Sequence, residues 1–293
     1  MTRIAFVGLG IMGSPMACNL ARAGYEVVGF TRTPAKADAL VAAGGEVAGS
    51  LLEAVHGADA VLTMLPDSPD VEAVLLGPGG AIENSAPGTY VIDMSTIRPA
   101  VSRRVAAAAE AHGLLPLDAP VSGGEHGAIE ATLSVMAGGS AEAFEAALPI
   151  LESIGRTIVH VGPAGAGQTV KAANQLVVAG IMQLVSEALV LVDAHGVDQH
   201  RAVEVLAGGL AGSAVLDRKS AAMLTGDFQP GFRINLHHKD LGIVLEAARE
   251  RDVAVPLGAM AAVLMGAARA QGDGELDHSA LIRGVQRMSG ASV

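Results

Sequence analysis

The residues with the clearest chemical potential form a glycine-rich segment near the N-terminus. A G-x-G-x-x-G pattern directly follows a short apolar run, Ile4 to Val7, and leads into a helix-compatible stretch. In this context the first glycine allows a tight turn, the second lets the backbone approach a pyrophosphate, and the third lets helix pack on strand. The free N–H groups at the helix start attract phosphates. The pattern predicts a dinucleotide site made of Gly8, Leu9, Gly10, Ile11, Met12 and Gly13, with a purely structural glycine turn as the alternative.

The end of the second predicted strand, Glu26 to Phe30, bears on which dinucleotide is bound. An NAD site usually places an acidic residue about 20 residues after the glycines, but here Thr31, Arg32 and Thr33 follow the strand. The Arg32 guanidinium can form paired hydrogen bonds with a 2′-phosphate, assisted by the two threonine hydroxyls. We therefore predict NADP as the cofactor, with NAD possible; a solvated surface arginine is the alternative.

A second glycine turn, in the segment Asp118 to Gly124, follows a later predicted strand. Successive backbone N–H groups in such a turn form a concave site for an anion. The sequence therefore indicates an anion site at Ser122, Gly123 and Gly124, with an ordinary left-handed turn as the alternative.

A third candidate is a group of polar residues within a long apolar helix. Lys171 and Gln175 stand at positions i and i+4, so they share one face, with Asn174 beside them. Polar groups in apolar surroundings are costly unless they meet a partner or a ligand. This group indicates a functional site, although lysine side chains also extend from apolar surfaces into solvent.

Alternating strands and helices must position these residues in the first half of the chain. Short apolar runs separated by segments with helical caps predict βαβ units and a doubly wound parallel α/β sheet. Beyond Gly167 only helical periodicity remains, which predicts an all-helical second domain built on one long helix that ends before Gly196. We place the domains at 1–162 and 163–293. Besides the first two, the predicted strands are Ala60 to Met64, Tyr90 to Asp93, Leu115 to Ala119, Ser134 to Ala137 and Thr157 to Val161.

Composition excludes several classes of protein. The chain of 293 residues is 51% apolar and 17% charged, which is not the composition of a disordered protein. A net charge of −11 and only seven aromatic residues argue against nucleic acid as a partner. The single cysteine, Cys18, cannot form an intrachain disulfide, and we expect no metal site because no Cys/His cluster has metal-ligand spacing.

The richest apolar stretch, Leu176 to Val192, is interrupted by Gln183, Ser186 and Glu187. It is shorter than the ~18 uninterrupted apolar residues of a membrane span. No signal peptide is evident before the first strand, so we expect a cytoplasmic protein with no membrane partner. Because the long helix is apolar on most of its faces, we also expect a homodimer or homotetramer formed through the helical domain.

Taken in order, these motifs resemble the β-hydroxyacid dehydrogenase family nearly end to end. The resemblance rests on the glycine loop with Met12, the segment Asp118 to Gly124, the helix that begins near Lys171, and the later pair Lys239 and Asp240. It implies a Rossmann domain followed by a helical domain, with Lys171 as the catalytic acid/base. It also implies that a small carboxylate substrate is held by Ser122, Gly123, Gly124, Asn174, Gln175 and Lys239. Along the cofactor it places Met64, Leu65, Pro66, Ser95, Thr96, Lys239 and Asp240.

The residue at position 175 indicates which branch of this family the chain resembles. Most members carry a second asparagine where this chain has Gln175, and the Lys-x-x-Asn-Gln pattern resembles the branch that reduces tartronate semialdehyde to glycerate. In that reaction negative charge develops on the carbonyl oxygen, and a protonated lysine neutralises it. Substrates of the 3-hydroxyisobutyrate, glyoxylate or succinic semialdehyde type remain alternatives, as does a nucleotide-binding regulator without activity. His278 and Ser279 are further substrate contacts by resemblance, or part of a helix cap at Asp277.

Overall fold

The computed structural model describes residues 2–290. The chain divides into two compact units, Met1–Lys171 and Ala172–Val293. The division falls inside one long helix, Ala166–Ala194, which starts in the first unit and continues into the second.

The first unit is built on one sheet that has nine strands within the described residues. Six of them run parallel in the order β3-β2-β1-β4-β5-β6. Strand β8 is antiparallel to β6 and β7 and parallel to β9. The strands are β1 (Arg3–Val7), β2 (Glu26–Phe30), β3 (Glu46–Val47), β4 (Ala60–Thr63), β5 (Tyr90–Asp93), β6 (Leu115–Asp118), β7 (Val121–Ser122), β8 (Leu133–Gly139) and β9 (Gly155–Gly162).

Helices connect these strands and lie against the sheet. They are α1 (Gly13–Arg22), α2 (Asp38–Ala42), α3 (Leu51–Val55), α4 (Ser68–Leu75), α5 (Ala81–Asn84), α6 (Pro99–Ala111), α7 (Gly124–Ile129) and α8 (Ala141–Glu152), with a 3-10 turn at Pro34–Lys36. Side-chain caps fix several starts: the Ser50 hydroxyl accepts from the Glu53 N–H at 3.1 Å, and the Ser140 hydroxyl accepts from the Ala143 N–H at 3.1 Å. Such caps satisfy N–H groups that have no partner within the helix.

The sheet is covered on both faces. Ile4 and Phe6 of β1 belong to one buried cluster, and Ala5 and Val7 belong to another. Successive strand residues point to opposite faces, so a strand buried on both sides must be apolar at every position. This accounts for the uninterrupted apolar runs in the sequence. Cys18, on α1, is buried in the first of these clusters.

The predicted fold class is confirmed, with two differences in detail. The sheet is not parallel throughout, because β8 joins β6 in the antiparallel direction. Apolar runs predict buried strands but carry no information on strand direction. Thr33 and Pro34, as an N-cap with a first-turn proline, also predict one helix that stops near Gly44 and Gly45. The structure divides it: the 3-10 turn at Pro34–Lys36 precedes the short α2, which ends before Gly44, a residue with a φ of +94°.

The second unit is helical. The long helix is α9 (Ala166–Ala194), followed by α10 (Gln199–Gly208), α11 (Ala214–Thr225), α12 (Ile234–Arg249), α13 (Pro256–Ala270) and α14 (Leu281–Met288), with 3-10 turns at Asp273–Glu275 and His278–Ala280. One buried cluster joins residues of α9, including Met182 and Leu189, to Leu216, Leu241 and Met265 of the other helices.

Within the described residues, α9 is the one helix that is long and apolar enough to cross a membrane by length and composition. Its best 18-residue window has a mean hydropathy of 1.9. The core helix of a helical bundle passes the same test; 33% of this window is buried, and Met182 and Leu189 belong to the buried cluster of the second unit.

Candidate active site

The sheet register brings the predicted segments of the first unit to one edge. The last residues of four neighbouring strands are register partners: Val7, Thr63, Asp93 and Asp118. The loops that follow the first three contain the glycine pattern, Met64 to Pro66, and Ser95 with Thr96. After Asp118 the chain continues through the short β7 to Ser122, Gly123 and Gly124. In open α/β sheets, ligands bind in the crevice outside the carboxyl ends of the strands. The predicted cofactor and substrate loops therefore leave the sheet at the edge where a ligand is expected.

The glycine loop has the shape of a cradle. Gly8 has a φ of +104°, and a Cβ added to it would lie 2.3 Å from the Met64 carbonyl oxygen. A Cβ at Gly13 would lie 1.9 Å from the Gly8 carbonyl oxygen. A Cβ at Gly10, in contrast, would meet no atom within 4 Å. Gly8 and Gly13 are thus required by the fold. Gly10 leaves open space at the start of α1, where the phosphates of a dinucleotide would approach the backbone N–H groups.

The segment that follows β2 becomes exposed at Arg32 and Thr33, as a ribose-phosphate site requires. The Arg32 side chain is 81% exposed and lies 3.4 Å from the Asp70 carboxylate at the start of α4. The Thr31 hydroxyl accepts from the Thr33 N–H at 3.2 Å, which closes a small turn. Asp70 is a neighbour of Arg32 that sequence reasoning missed, because 38 residues separate the two.

The loops after β4 and β5 are joined by hydrogen bonds. The Leu65 N–H donates to the Ser95 hydroxyl at 2.9 Å, and the Ser95 N–H donates to the Asp93 carboxylate at 3.1 Å. The Thr63 hydroxyl donates to the same Asp93 oxygen at 2.7 Å. The two predicted cofactor loops are therefore held to each other through one buried carboxylate.

Burial perturbs both carboxylates at this edge. Removal from solvent raises the pKa of Asp93 to about 6, although hydrogen bonds from Ser95 and Thr63 lower it. Burial also raises the pKa of Asp118, against the backbone N–H groups of Gly165 and Gln168 that favour its charged form. Desolvation disfavours the ionised carboxylate, so the observed direction is the expected one.

The turn after β7 has the glycine conformation that the sequence suggested. Gly123 has a φ of +140° and Gly124 a φ of +65°, values that L side chains rarely adopt. A Cβ at Gly124 would meet no atom within 4 Å, so the turn faces open space there. Ser122 ends β7 and is partly exposed.

Lys171 lies beside this turn. The residue is 7% exposed, and its Nζ donates to the Val121 carbonyl oxygen at 2.8 Å. The start of α9 is fixed by Asp118, whose Oδ1 accepts from the Gly165 N–H at 2.7 Å and whose Oδ2 accepts from the Gln168 N–H at 2.8 Å. The Lys171 Nζ is thus held next to the Ser122–Gly124 turn, a position from which a protonated amine can donate to a bound oxygen.

In the second unit, the predicted polar residues bind to one another. The Asn174 side-chain amide donates to the Gln175 Oε1 at 2.8 Å, and the Gln175 Nε2 donates to the Asp240 carboxylate. The Lys239 Nζ lies 2.8 Å from the other Asp240 oxygen. Gln175 and Asp240 are 65 residues apart, and their pairing had no signal in the sequence.

The late segment around Asp277 is held by internal contacts of the second unit. Asp277 caps the 3-10 turn by accepting from the Ser279 N–H and hydroxyl, and it pairs with Lys219 at 2.8 Å. The His278 Nδ1 lies 2.9 Å from the His237 Nδ1, and burial lowers the pKa of His278. The helix-cap interpretation therefore accounts for Ser279. His237 and His238 are adjacent in the sequence but have different partners, because His237 contacts His278 and His238 contacts Arg269.

Comparison with known proteins matches both halves of the chain. Residues 3–162 match the NAD binding domain of 6-phosphogluconate dehydrogenase, and residues 165–285 match the NAD-binding domain of NADP-dependent 3-hydroxyisobutyrate dehydrogenase.

Full-length relatives agree with this match. The 2-hydroxy-3-oxopropionate reductase of Escherichia coli is 41% identical over 98% of both chains. The NAD-dependent L-serine dehydrogenase of Pseudomonas aeruginosa is 42% identical over 95% of this chain and 96% of its own. A solved structure of Mycobacterium tuberculosis 3-hydroxyisobutyrate dehydrogenase with L-serine superimposes with a TM-score of 0.88, at 38% identity, and covers 98% of this chain and 99% of that one.

These matches define the class of protein. One chain therefore contains both matched domains, the glycine loop after β1 and a lysine beside the Ser122–Gly124 turn. The protein belongs to the β-hydroxyacid dehydrogenase family of NAD(P)-dependent 3-hydroxyacid dehydrogenases and reductases, as its motifs predicted.

Proposed function

We propose that this protein reduces a small 3-oxo acid, with tartronate semialdehyde as the first candidate, and that Lys171 supplies the proton. The observation that carries the proposal is the 2.8 Å hydrogen bond between the Lys171 Nζ and the Val121 carbonyl, immediately before the Ser122–Gly124 turn. When bound, a reduced nicotinamide dinucleotide supplies the hydride. The backbone N–H groups of the turn orient the substrate carboxylate, and the Lys171 Nζ protonates the oxygen on which negative charge develops.

The substrate assignment rests on Gln175 and on the similarity to 2-hydroxy-3-oxopropionate reductase. The other relatives keep alternatives open, since one is named an L-serine dehydrogenase and another a 3-hydroxyisobutyrate dehydrogenase. The roles of Asn174, Gln175 and Lys239 in substrate binding stay predictions. Steady-state rates with tartronate semialdehyde, glyoxylate, succinic semialdehyde, 3-hydroxyisobutyrate and L-serine, each with both cofactors, test the assignment directly. A higher kcat/KM for any other compound than for tartronate semialdehyde would replace it.

Replacing Lys171 tests the chemistry. We expect Lys171→Ala to lower kcat at least ~100-fold, the low end of acid/base contributions, while leaving cofactor affinity unchanged. Cofactor binding is measured by NADPH fluorescence and turnover by absorbance. Gln183→Met, a change elsewhere on the same helix, serves as the control. A kcat near that of the wild type would refute the role of the lysine.

The cofactor preference is proposed to be NADP, with NAD possible. The exposed Arg32 guanidinium at the end of β2 supports it, because no carboxylate follows this strand in the sequence. Arg32→Asp should raise the KM for NADPH about 10- to 100-fold, since hydrogen bonds to charged groups contribute about 1.5–3 kcal/mol, and should leave the KM for NADH unchanged. Asp70→Asn should change it in the opposite direction by a few-fold at most, because exposed ion pairs contribute under about 1 kcal/mol. An unaltered preference in Arg32→Asp would remove the assignment.

We also propose that the protein is a homodimer or homotetramer formed through its helical unit, and that it acts in the cytoplasm. Apolar side chains remain exposed along the second unit, among them Leu184, Leu191, Val205 and Leu257. An apolar cavity of about 320 Å³ opens between α9, α10 and α11. Exposed apolar surface of this kind marks protein interfaces. Light scattering gives the mass in solution, and a monomer at working concentration would exclude the oligomer.

A further inference from the structure

Gln168 is a buried glutamine of α9 that stands three residues before Lys171. The residue is 1% exposed, and both ends of its side-chain amide are hydrogen-bonded. The Oε1 accepts from the Ile97 N–H at 3.0 Å, and the Nε2 donates to the Ser95 carbonyl oxygen at 2.8 Å. A buried amide with both ends satisfied fixes its neighbours strongly, because breaking either bond leaves an unpaired polar group.

These bonds extend a chain that begins at the cofactor loops. The Leu65 N–H binds the Ser95 hydroxyl, and the Ser95 carbonyl binds Gln168, so the loops after β4 and β5 are tied to α9. Three residues further along the helix, the Lys171 Nζ binds the Val121 carbonyl. Gln168 therefore joins the loops after β4 and β5 to α9, the helix that carries Lys171.

The start of α9 has little freedom to shift. A Cβ at Gly167 would lie 2.3 Å from the Met136 carbonyl oxygen, and one at Gly138 would lie 2.5 Å from the Asp118 carboxylate. Asp118 also holds the backbone N–H groups of Gly165 and Gln168. Close packing therefore fixes the position of the start of α9. The hydrogen bonds of the Gln168 amide fix the loop Ser95–Ile97 relative to it.

We propose that Gln168 is a positioning residue that sets the loop Ser95–Ile97 relative to Lys171. The inference rests on the proposed role of Lys171 as the proton donor. Because the Ile97 N–H and the Ser95 carbonyl occupy the two ends of its amide, Gln168 acts through the loop and the helix. Misplacement of reacting groups by about 1 Å can cost on the order of 100-fold in rate, so its loss reduces the chemical step more than binding.

The first test replaces the amide by an apolar side chain of similar length. Gln168→Met should lower kcat about 10- to 100-fold, with a smaller effect on the NADPH dissociation constant. The primary isotope effect on kcat, measured with NADPH deuterated at the transferred C4 position, should rise because hydride transfer becomes more rate-limiting. Rates are expressed per functional NADPH site, so an unfolded fraction does not contribute. Gln183→Met is the matched control, because the Gln183 amide binds Glu187 on the same helix and should leave kcat unchanged.

The second test keeps the shape and changes only one bond. Gln168→Glu retains the oxygen that accepts from Ile97, but an ionised carboxylate cannot donate to the Ser95 carbonyl. A protonated carboxyl can donate, so kcat relative to the wild type should recover as the pH falls. Burial favours the protonated form. The charged groups around this position are Asp118 at its backbone N–H, Asp93 at Ser95, Lys171 on α9 and Arg103 beside Gly165.

The results separate this inference from the proposed function. If Lys171→Ala is inactive while Gln168→Met has the kcat and isotope effect of the wild type, the positioning role is overturned and the lysine role stands. If Gln168→Glu shows the same relative kcat at every pH, the Ser95 bond does not matter and the inference fails. If Lys171→Ala retains normal turnover, the proposed function fails first.

Discussion

The two compact units use their polar residues in different ways. In the first unit, the candidate site is made largely of backbone: glycine turns, the Val121 carbonyl and N–H groups at helix starts, set at the carboxyl edge of the sheet. In the second unit, the polar residues form a side-chain network in which Asn174, Gln175, Asp240 and Lys239 bind one another. A site made of backbone groups keeps its shape only while its glycines are retained. A side-chain network is disrupted when any one of its side chains is replaced.

The glycine loop offers the largest test of this difference. Gly13→Ala should destabilise the protein by at least about 3 kcal/mol, the upper range of overpacking, because its Cβ would lie 1.9 Å from the Gly8 carbonyl oxygen. Gly10→Ala should leave the melting temperature unchanged, since its Cβ meets no atom within 4 Å.

The same pair separates folding from binding. Gly10→Ala should weaken NADPH binding roughly tenfold, or by about 1.4 kcal/mol, because the new methyl group occupies the space left for the cofactor. Thermal unfolding and fluorescence titration measure the two quantities. Equal stability of the two variants would show that the cradle is not set by backbone contact.

Replacing Asp93 tests the role of the buried carboxylate that joins Thr63 to Ser95. Burial raises its pKa from 3.8 to about 6. A raised folded-state pKa gives stability that is complete below pH 3.8 and is lost as the pH rises through about 6. A shift of about two units corresponds to about 3 kcal/mol.

Asp93→Asn should therefore reduce the fall in unfolding free energy between pH 4 and pH 6, as followed by urea denaturation. Burial also raises the pKa of Asp118, so part of the slope should remain. Asp193→Asn removes an exposed carboxylate and is the control. An unchanged slope in Asp93→Asn would mean that Asp93 does not titrate in this range.

Asp240 tests the side-chain network of the second unit. Asp240→Ala removes the acceptor of the Gln175 amide and the carboxylate beside Lys239, and should cost about 2 kcal/mol of stability. Chemical denaturation of the full chain measures the loss, with Asp193→Ala as an exposed control. A cost no larger than that of the control would show that the network contributes little to stability.

The sequence reveals backbone-determined features better than side-chain partners. Strand β2 was predicted with its observed ends because an apolar run stands between Gly24 and the polar residues after Phe30. The start of α8 is likewise marked by Ser140, a helix-capping residue type whose hydroxyl accepts from the Ala143 N–H. Both signals are local, so they need no knowledge of the rest of the fold.

What the sequence did not show depends on residues far apart in the chain. The antiparallel direction of β8 is set by its pairing with β6, and apolar periodicity is the same in either direction. Val121 contributes a carbonyl oxygen, which every residue has, so its type gives no signal. Gln168 binds residues more than 70 positions away, and only the packed structure identifies them.

Cys18 gives the protein a practical property. It is the single cysteine of the chain, it is buried on α1, and burial raises the pKa of its thiol. Because the thiolate is the reactive form, we expect this residue to react slowly with maleimide dyes at neutral pH. A cysteine introduced at an exposed position can therefore be labelled selectively in the native sequence background, which makes the chain suitable for fluorescence and spin-label spectroscopy without removing its own thiol.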